Sequence, residues 1–224
     1  MRSIRVWFTK KDTAKYTSHL DMNRCMLRAV NRAGLPVWYT EGFNPHPYIT
    51  FALPLSLGIE SEGEPMDMRI EGDMENDEVK SRLASVMPRG MDITAVTDVT
   101  DNAKTICYAE YGMDLEFNTA NEAADFCEKA KALVQEGSLK AEKIGKQGRY
   151  KVTKQVVLKD LIVGFTAECV QDRVVITTVL SAGSSANLNP NLLLDTLIKE
   201  TGARVAVIKI TRKRLLKADF GVFS

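Results

Sequence analysis

The chain has 224 residues, of which 45% are hydrophobic and 26% are charged, and its formal net charge is +1. This balance is typical of a folded protein and excludes a disordered or collagen-like chain. The sequence contains no signal-peptide-like start and no run of about 20 apolar residues, the length that a membrane-spanning helix requires. We therefore expect a cytoplasmic protein that does not bind membranes.

The cysteines and histidines limit the metal chemistry that the chain can support. Cys25, Cys107, Cys127 and Cys169 are widely spaced, and none belongs to a CxxC pair. This spacing favours reduced thiols over a disulfide framework, and it lacks the closely spaced thiolates of an iron-sulfur cluster. Only two histidines are present. We therefore predict that the chain by itself binds no metal and no cofactor.

The charges are distributed unevenly along the chain. Residues 1–36 hold eight Lys and Arg residues against two Asp, and residues 204–217 hold six basic residues and no acid. Residues 60–78 hold nine acidic residues and one Arg. The basic segments are suited to phosphate, or the basic and acidic segments neutralise one another within the fold.

Hydrophobic periodicity predicts the elements of the first half in chain order. Ser18 and Asp21 form a capping-box pattern at the start of the first helix, which Gly34 and Pro36 end. The predicted elements are a strand at Ile4–Phe8, a helix up to Ala33, extended segments at Val37–Thr40 and Tyr48–Leu53, a strand at Met66–Ile70, a helix at Asn76–Met87 and a strand at Met91–Val96.

A similar order of elements follows a polar segment at residues 98–104. The predicted elements are strands at Ile106–Phe117, Lys140–Ile144, Tyr150–Leu158, Arg173–Leu180 and Arg204–Arg212, with helices at Thr119–Val134 and Asn189–Thr201. The fold class predicted from this order is α+β, with two ferredoxin-like (split β-α-β) sandwiches in tandem. Residues 1–100 would form the first, with an inserted proline-rich loop, and residues 105–224 the second.

The first predicted helix carries a stripe of arginines. Arg24, Arg28 and Arg32 lie four residues apart, and Asp21 points the same way. Guanidinium groups bind phosphate and carboxylate bidentately, so the stripe indicates a surface for a nucleic-acid backbone or an acidic substrate. The alternative is a solvated helix face on which Asp21 pairs with Arg24.

Residues 41–58 form the other candidate site of the first half. Pro45 and Pro47 stiffen the backbone around His46, which we predict to bind substrate together with Glu41, Asn44, Asp67 and the helix-start residue His19. His46 and a nearby carboxylate also suggest acid-base catalysis by a stand-alone hydrolase or transferase. The simpler alternative is that backbone groups satisfy each histidine.

Basic residues flank an aromatic ring in the second half. Arg149 and Lys151 enclose Tyr150, a pattern that suits single-stranded RNA or a nucleotide, and we include both basic residues among the predicted substrate-binding residues. A tight basic turn that leads into a strand is the alternative.

Several motifs together resemble the radical SAM-linked protein family, a bacterial family of undefined function. The motifs are Tyr16-x-Ser18-His19-Leu20-Asp21-x-x-Arg24-x-x-x-Arg28-Ala29, Gly34-Leu35-Pro36, Glu41-Gly42-Phe43-Asn44-Pro45-His46-Pro47, Phe51-x-Leu53-Pro54-Leu55-x-x-Gly58, Glu64-x-x-Asp67 and Gly148-Arg149-Tyr150-Lys151 with Lys159-Asp160. Members are fused to a radical SAM protein or encoded beside one, often one with a cobalamin-binding region.

The resemblance implies an accessory role. A radical SAM partner would carry the 4Fe-4S cluster, S-adenosylmethionine and in some cases cobalamin, and this chain would bind or present the substrate. Neighbouring ribonuclease and ribosomal-protein genes in the family make tRNA or rRNA the expected substrate. A protein-protein scaffold that docks the partner enzyme is a further alternative.

Overall fold

A computed structural model describes residues 1–147 and 150–224, and the side chains of residues 1–142 and 155–224. Within these ranges the chain forms ten strands and four α-helices. In chain order they are β1 (Arg2–Lys10), α1 (His19–Arg32), β2 (Ile49–Phe51), β3 (Glu60–Ile70), α2 (Asn76–Ala84), β4 (Ile93–Asp98), β5 (Ile106–Phe117), α3 (Ala120–Glu136), β6 (Lys140–Gln147), β7 (Tyr150–Val157), β8 (Ile162–Val170), β9 (Arg173–Ser181), α4 (Pro190–Thr201) and β10 (Val205–Lys217).

Eight of the strands belong to one mixed sheet. Its hydrogen-bonded order is β4-β1-β3-β10-β5-β9-β8, and β2 pairs with β3, while β6 and β7 form a separate hairpin. Most pairs are antiparallel, but β10 runs parallel to β3, with Thr211 opposite Glu60 and Arg212 opposite Ser61. The α+β class is therefore confirmed.

The chain divides into two compact units. The first comprises Met1–Ile106, Thr211–Arg214 and Val222–Ser224, and the second comprises Cys107–Ile210 and Leu215–Gly221. The strand β10 thus contributes residues to both units.

In the first unit, α1 and α2 pack on one face of the sheet. Alternate residues of β1 and β3 point into the core with the apolar face of α1, because successive side chains of a strand lie on opposite faces. The core includes Ile4, Val6, Phe8, Met66, Met68 and Ile70 from the strands and Met22, Met26, Ala29 and Val30 from α1. Ser18 caps α1 as predicted, since its hydroxyl accepts the backbone N–H of Asp21.

In the second unit, β5, β9 and β8 form antiparallel pairs, and α3 packs against β8, β9 and α4. Thr119 and Asn189 cap the starts of α3 and α4 with their side-chain oxygens. Both helices end at a glycine with φ of 68°, Gly137 and Gly202, because a left-handed residue at this position is least strained when it has no Cβ.

The main difference from the predicted elements is β8, for which the sequence gives no strand. Most of its side chains are at least partly exposed, so the strand lacks a regular alternation of apolar and polar residues. Gly164 also interrupts the pattern at a register shift. In the predicted extended segment Val37–Thr40, Val37 and Tyr39 form isolated β-bridges with Ile70 and Pro47. Of the helices in the described ranges, none has the length and apolarity needed to cross a bilayer.

Candidate functional site

The exposed face of α1 lines a surface pocket of about 570 Å³. Arg24 and Arg28 are exposed, and Asp21 lies beside them. Among the described residues, the lining of the pocket consists of Asp21, Arg24, Cys25, Arg28, Asn31 and Arg32. The structure therefore brings three of the predicted substrate-binding residues together on one helix face, where arginines outnumber the acid three to one.

Local contacts on this face leave the arginines accessible. Asp21 accepts a hydrogen bond from the Ser18 hydroxyl at 2.7 Å and pairs with Arg24 at 3.3 Å. The side chains of Arg24 and Asp21 are 70% and 60% exposed. Because an exposed i,i+3 pair of this kind is worth well under about 1 kcal/mol, an incoming anion can displace Asp21 from Arg24 at little cost.

His19 lines a second, smaller pocket of about 20 Å³. Its imidazole packs edge-on against Phe51, with ring centroids 5.3 Å apart. The side chains of Lys10 and Glu64 also line this pocket, and the other lining residues are Phe8, Met22, Phe51, Leu53, Pro54 and Leu55. Two charged side chains thus lie among mostly apolar ones.

Glu64 and Arg212 form a buried ion pair beside this pocket. The Arg212 side chain is 1% exposed and that of Glu64 6%. Both Glu64 carboxylate oxygens accept from Arg212, from Nε at 3.0 Å and from Nη2, and Nη2 also donates to the Leu53 carbonyl at 2.9 Å. A bidentate arginine pair of this kind is among the strongest polar contacts in proteins.

Lys10 lies in the same environment, 2% exposed, and its Nζ donates to the Thr17 carbonyl at 2.9 Å. Burial lowers the pKa of Lys10 from its ordinary value of 10.5. Glu64 opposes this shift of the pKa, and Arg212 adds to it. Burial is the dominant cause because it disfavours the charged ammonium.

The lowered pKa of Lys10 predicts a pH dependence of stability. The folded protein releases this proton at a lower pH than the unfolded chain, so its stability rises as the pH is raised toward 10.5. We expect the free energy of unfolding of the wild type to increase relative to that of Lys10→Met over this range, as measured by urea titration at several pH values. Lys15→Met serves as the control. A difference between wild type and Lys10→Met that stays constant with pH would contradict the prediction.

His46 is bonded within its own loop. Its Nδ1 lies 2.9 Å from the Asn44 carbonyl oxygen and 3.2 Å from the Thr40 hydroxyl. Its backbone carbonyl accepts from the Thr40 N–H. His46, Asn44 and Glu41 are all exposed. These contacts correspond to the simpler alternative given above, in which backbone groups satisfy the histidine.

Asp67 lies on the sheet face opposite the helices and is paired with Arg5. The Arg5 side chain is fully buried, and its Nε and Nη2 donate to the two Asp67 oxygens at 2.6 and 2.8 Å. Arg5 also donates to the carbonyls of Asp101 and Ser224 and lies 4.2 Å from the centroid of the Phe223 ring. Asp67 is therefore held in a fixed position.

Two predicted residues fall outside this description. Arg149 lies outside the described residues, and Lys151 belongs to β7 with its side chain outside the described part. Within the described residues, no group of three or more His, Cys, Asp and Glu side chains is arranged to hold a metal ion.

Sequence reasoning missed Lys10, Arg5 and Arg212 as members of these clusters. Lys10 ends a strand whose inward residues are otherwise apolar, and Glu64 lies in an acidic run that looks solvent-exposed. The available signal was a charged residue next to a strand core. The sequence does not reveal, however, that Glu64 pairs with Arg212, 148 residues further along the chain.

These features define an α+β protein with an exposed basic helix face and two buried arginine-carboxylate pairs. The chain belongs to the family described as "Uncharacterized protein conserved in bacteria (DUF2344)", whose model matches residues 3–190. No curated protein matches the chain.

Two solved structures show distant similarity. A chain of the structure titled "Crystal Structure of a Cbf5-Nop10-Gar1 Complex" matches at 9% identity and a TM-score of 0.49, with 94% of this chain and 48% of that chain covered. This chain thus spans about half the length of that one. A chain of the structure titled "Crystal Structure of an Unknown Protein from Galdieria sulphuraria" matches at 11% identity and a TM-score of 0.27, with 94% of this chain and 98% of that chain covered.

Proposed function

We propose that this protein binds an RNA substrate through the exposed arginine face of α1 and presents it to a radical SAM partner enzyme. The observation that carries the proposal is the arrangement of Arg24, Arg28 and Arg32 on successive turns of α1, around one open pocket. Side chains four residues apart lie on the same helix face, so the three guanidinium groups can meet successive phosphates of one strand.

RNA suits this surface better than a small acidic metabolite does. The arginines extend over two turns of the helix, which is longer than a single carboxylate or phosphate needs. The weak pairing of Arg24 with Asp21 also favours an extended anion, because several phosphates together compete with one exposed carboxylate.

The partner enzyme enters the proposal through the family resemblance. The motifs around Tyr16–Ala29 and Glu41–Pro47 resemble the radical SAM-linked family, whose members are fused to or encoded beside radical SAM proteins. The partner would supply the cluster, S-adenosylmethionine and, where present, cobalamin. Co-purification of the tagged protein with the radical SAM protein encoded beside it tests this pairing, and failure to form a complex at micromolar concentrations would contradict it.

We further propose that each unit is a ferredoxin-like split β-α-β sandwich. The strand order β4-β1-β3-β2 in the first unit and β10-β5-β9-β8 in the second supports this. In each unit, one helix lies between the first and second of these strands in chain order, and the other lies between the third and fourth.

The experiment for the RNA proposal measures the affinity for total tRNA as a function of salt. We expect Arg24→Ala/Arg28→Ala to weaken binding and to reduce the slope of log affinity against log salt by about 2, because each lost phosphate contact removes about 1 from the slope. Arg24→Lys/Arg28→Lys is expected to keep most of the slope, since the charges remain.

A matched control comes from α3. Lys129→Ala/Lys131→Ala removes two exposed helix cations that are paired with Asp125 and Glu128 on their own helix. We expect this variant to bind tRNA as the wild type does. Binding that does not depend on salt, or an Arg24→Ala/Arg28→Ala variant with unchanged affinity, would exclude the α1 face as the RNA-binding surface.

A further inference from the structure

The face of the first unit's sheet that points away from α1 and α2 carries polar and aromatic side chains. Ile4, Met66 and Met68 point into the core, so the residues that alternate with them lie on the opposite face. Two cross-strand pairs on this face are Ser3 with Arg69 and Asp67 with Thr50.

These residues line a pocket of about 130 Å³ on the open face. The side chains that matter for recognition are Ser3, Tyr48, Thr50, Asp67 and Arg69, with Met68 and Val99 completing the lining. Pockets for drug-sized ligands are typically about 300–1,000 Å³, so this pocket has room only for a ligand smaller than a drug-sized molecule.

The pocket walls are fixed by contacts of their own. The Arg69 guanidinium lies 4.6 Å from the Tyr48 ring centroid and 5.2 Å from that of Trp38. The backbone N–H of Trp38 donates to the Arg69 carbonyl, and that of Tyr48 donates to the Trp38 carbonyl, both at 3.0 Å. Asp67 is held by the buried Arg5, while its own side chain remains 23% exposed.

This set of groups matches the requirements of an unpaired nucleobase. Aromatic rings and arginine planes are the surfaces on which bases stack in proteins that bind single-stranded RNA. The hydroxyls of Ser3 and Thr50 and the carboxylate of Asp67 offer donors and acceptors to the polar edge of a base.

We propose that the pocket formed by Ser3, Tyr48, Thr50, Asp67 and Arg69 binds a single unpaired nucleobase, stacked on Tyr48 or Arg69. This inference deepens the proposed function, and it rests on that function for the identification of RNA as the source of the base. A free nucleoside offers the same chemistry and is the other source.

The test compares single-stranded RNA oligonucleotides, inorganic polyphosphate and the four free nucleosides as probes, with wild type and Tyr48→Ala. Loss of one base-stacking contact is expected to lower the affinity for RNA roughly 5- to 150-fold and to leave the affinity for polyphosphate unchanged. Tyr48→Phe keeps the ring and is expected to bind RNA as the wild type does. The control is Phe220→Ala, which removes a 53% exposed ring of the second unit that stacks on Tyr108.

The probes separate this inference from the RNA-binding role of α1. The Arg24→Ala/Arg28→Ala variant is expected to lose affinity for RNA and polyphosphate alike, because both present phosphates. If RNA does not bind, nucleoside binding that Tyr48→Ala abolishes still supports the pocket, with a free nucleoside as its ligand. Equal effects of Tyr48→Ala and Phe220→Ala, or nucleoside and RNA affinities that Tyr48→Ala leaves unchanged, would overturn the inference.

Discussion

Replacing Arg212 with Met is expected to lower the free energy of unfolding by about 3 kcal/mol. Removing one partner of a buried ion pair leaves the other charge without compensation, which typically costs about 3–5 kcal/mol. The remaining charge would be Glu64, whose side chain is 6% exposed. We expect the lower end of the range because Lys10 lines the same pocket and still offsets the charge of Glu64 electrostatically.

Two further variants make this result specific. Lys213→Met removes the neighbouring cation, which pairs with Glu62 at 2.5 Å. The side chains of Lys213 and Glu62 are 41% and 47% exposed, so this variant is expected to lower the free energy of unfolding by less than about 1 kcal/mol. The double variant Glu64→Gln/Arg212→Met is expected to lose less than the sum of the single variants, because it leaves neither charge of the pair buried without its partner. Urea unfolding of the wild type, Arg212→Met, Glu64→Gln, Lys213→Met and the double variant measures these costs. Equal costs for the Arg212 and Lys213 variants would contradict the prediction.

Replacing Arg5 with Met is expected to have a similarly large effect, about 3–5 kcal/mol. The fully buried guanidinium satisfies both oxygens of Asp67 and the carbonyls of Asp101 and Ser224 at once. Each carbonyl that loses its donor without gaining water costs about 1–3 kcal/mol. Arg5→Lys keeps the charge but cannot reproduce the planar fork, so we expect an intermediate loss.

Arg2 provides the control for Arg5 on the same strand. Its pair with Asp98 has side chains that are 33% and 72% exposed, so Arg2→Met is expected to cost about 1 kcal/mol or less. Thermal or urea unfolding of the Arg2 and Arg5 variants tests the difference. An Arg5→Met protein as stable as Arg2→Met would show that the buried network contributes nothing to stability.

Local patterns in the sequence predicted most elements well. The Ser18 cap and the apolar spacing from Met22 to Val30 identified α1, and the alternation at Ile106–Phe117 gave the bounds of β5 as the structure has them. Both signals depend on neighbours along the chain. The strand β8 was not predicted, because it has no regularly buried face. Its residues are therefore not under the constraint that produces an alternation of apolar and polar side chains.

Some features of the candidate sites follow from local sequence patterns, and others depend on tertiary contacts. The arginine face of α1 is visible in the sequence, because a helix places Arg24 and Arg28 on one side wherever it packs. The interpretation of His46 depended on its loop, in which the Nδ1 of the ring contacts the Asn44 carbonyl and the Thr40 hydroxyl. Asp67 was predicted to bind substrate, but no sequence pattern indicates that Arg5 holds it in place.

The α+β class, the positions of the helices and the basic face of α1 each follow from residue spacing within one element. Which charges become buried, and which partners they meet, depends on contacts between distant segments of the chain. Arg212 joins the first unit and meets Glu64 because β10 pairs in parallel with β3, a pairing between segments about 150 residues apart. No local pattern encodes such a contact, because its energy comes from removing both groups from water together.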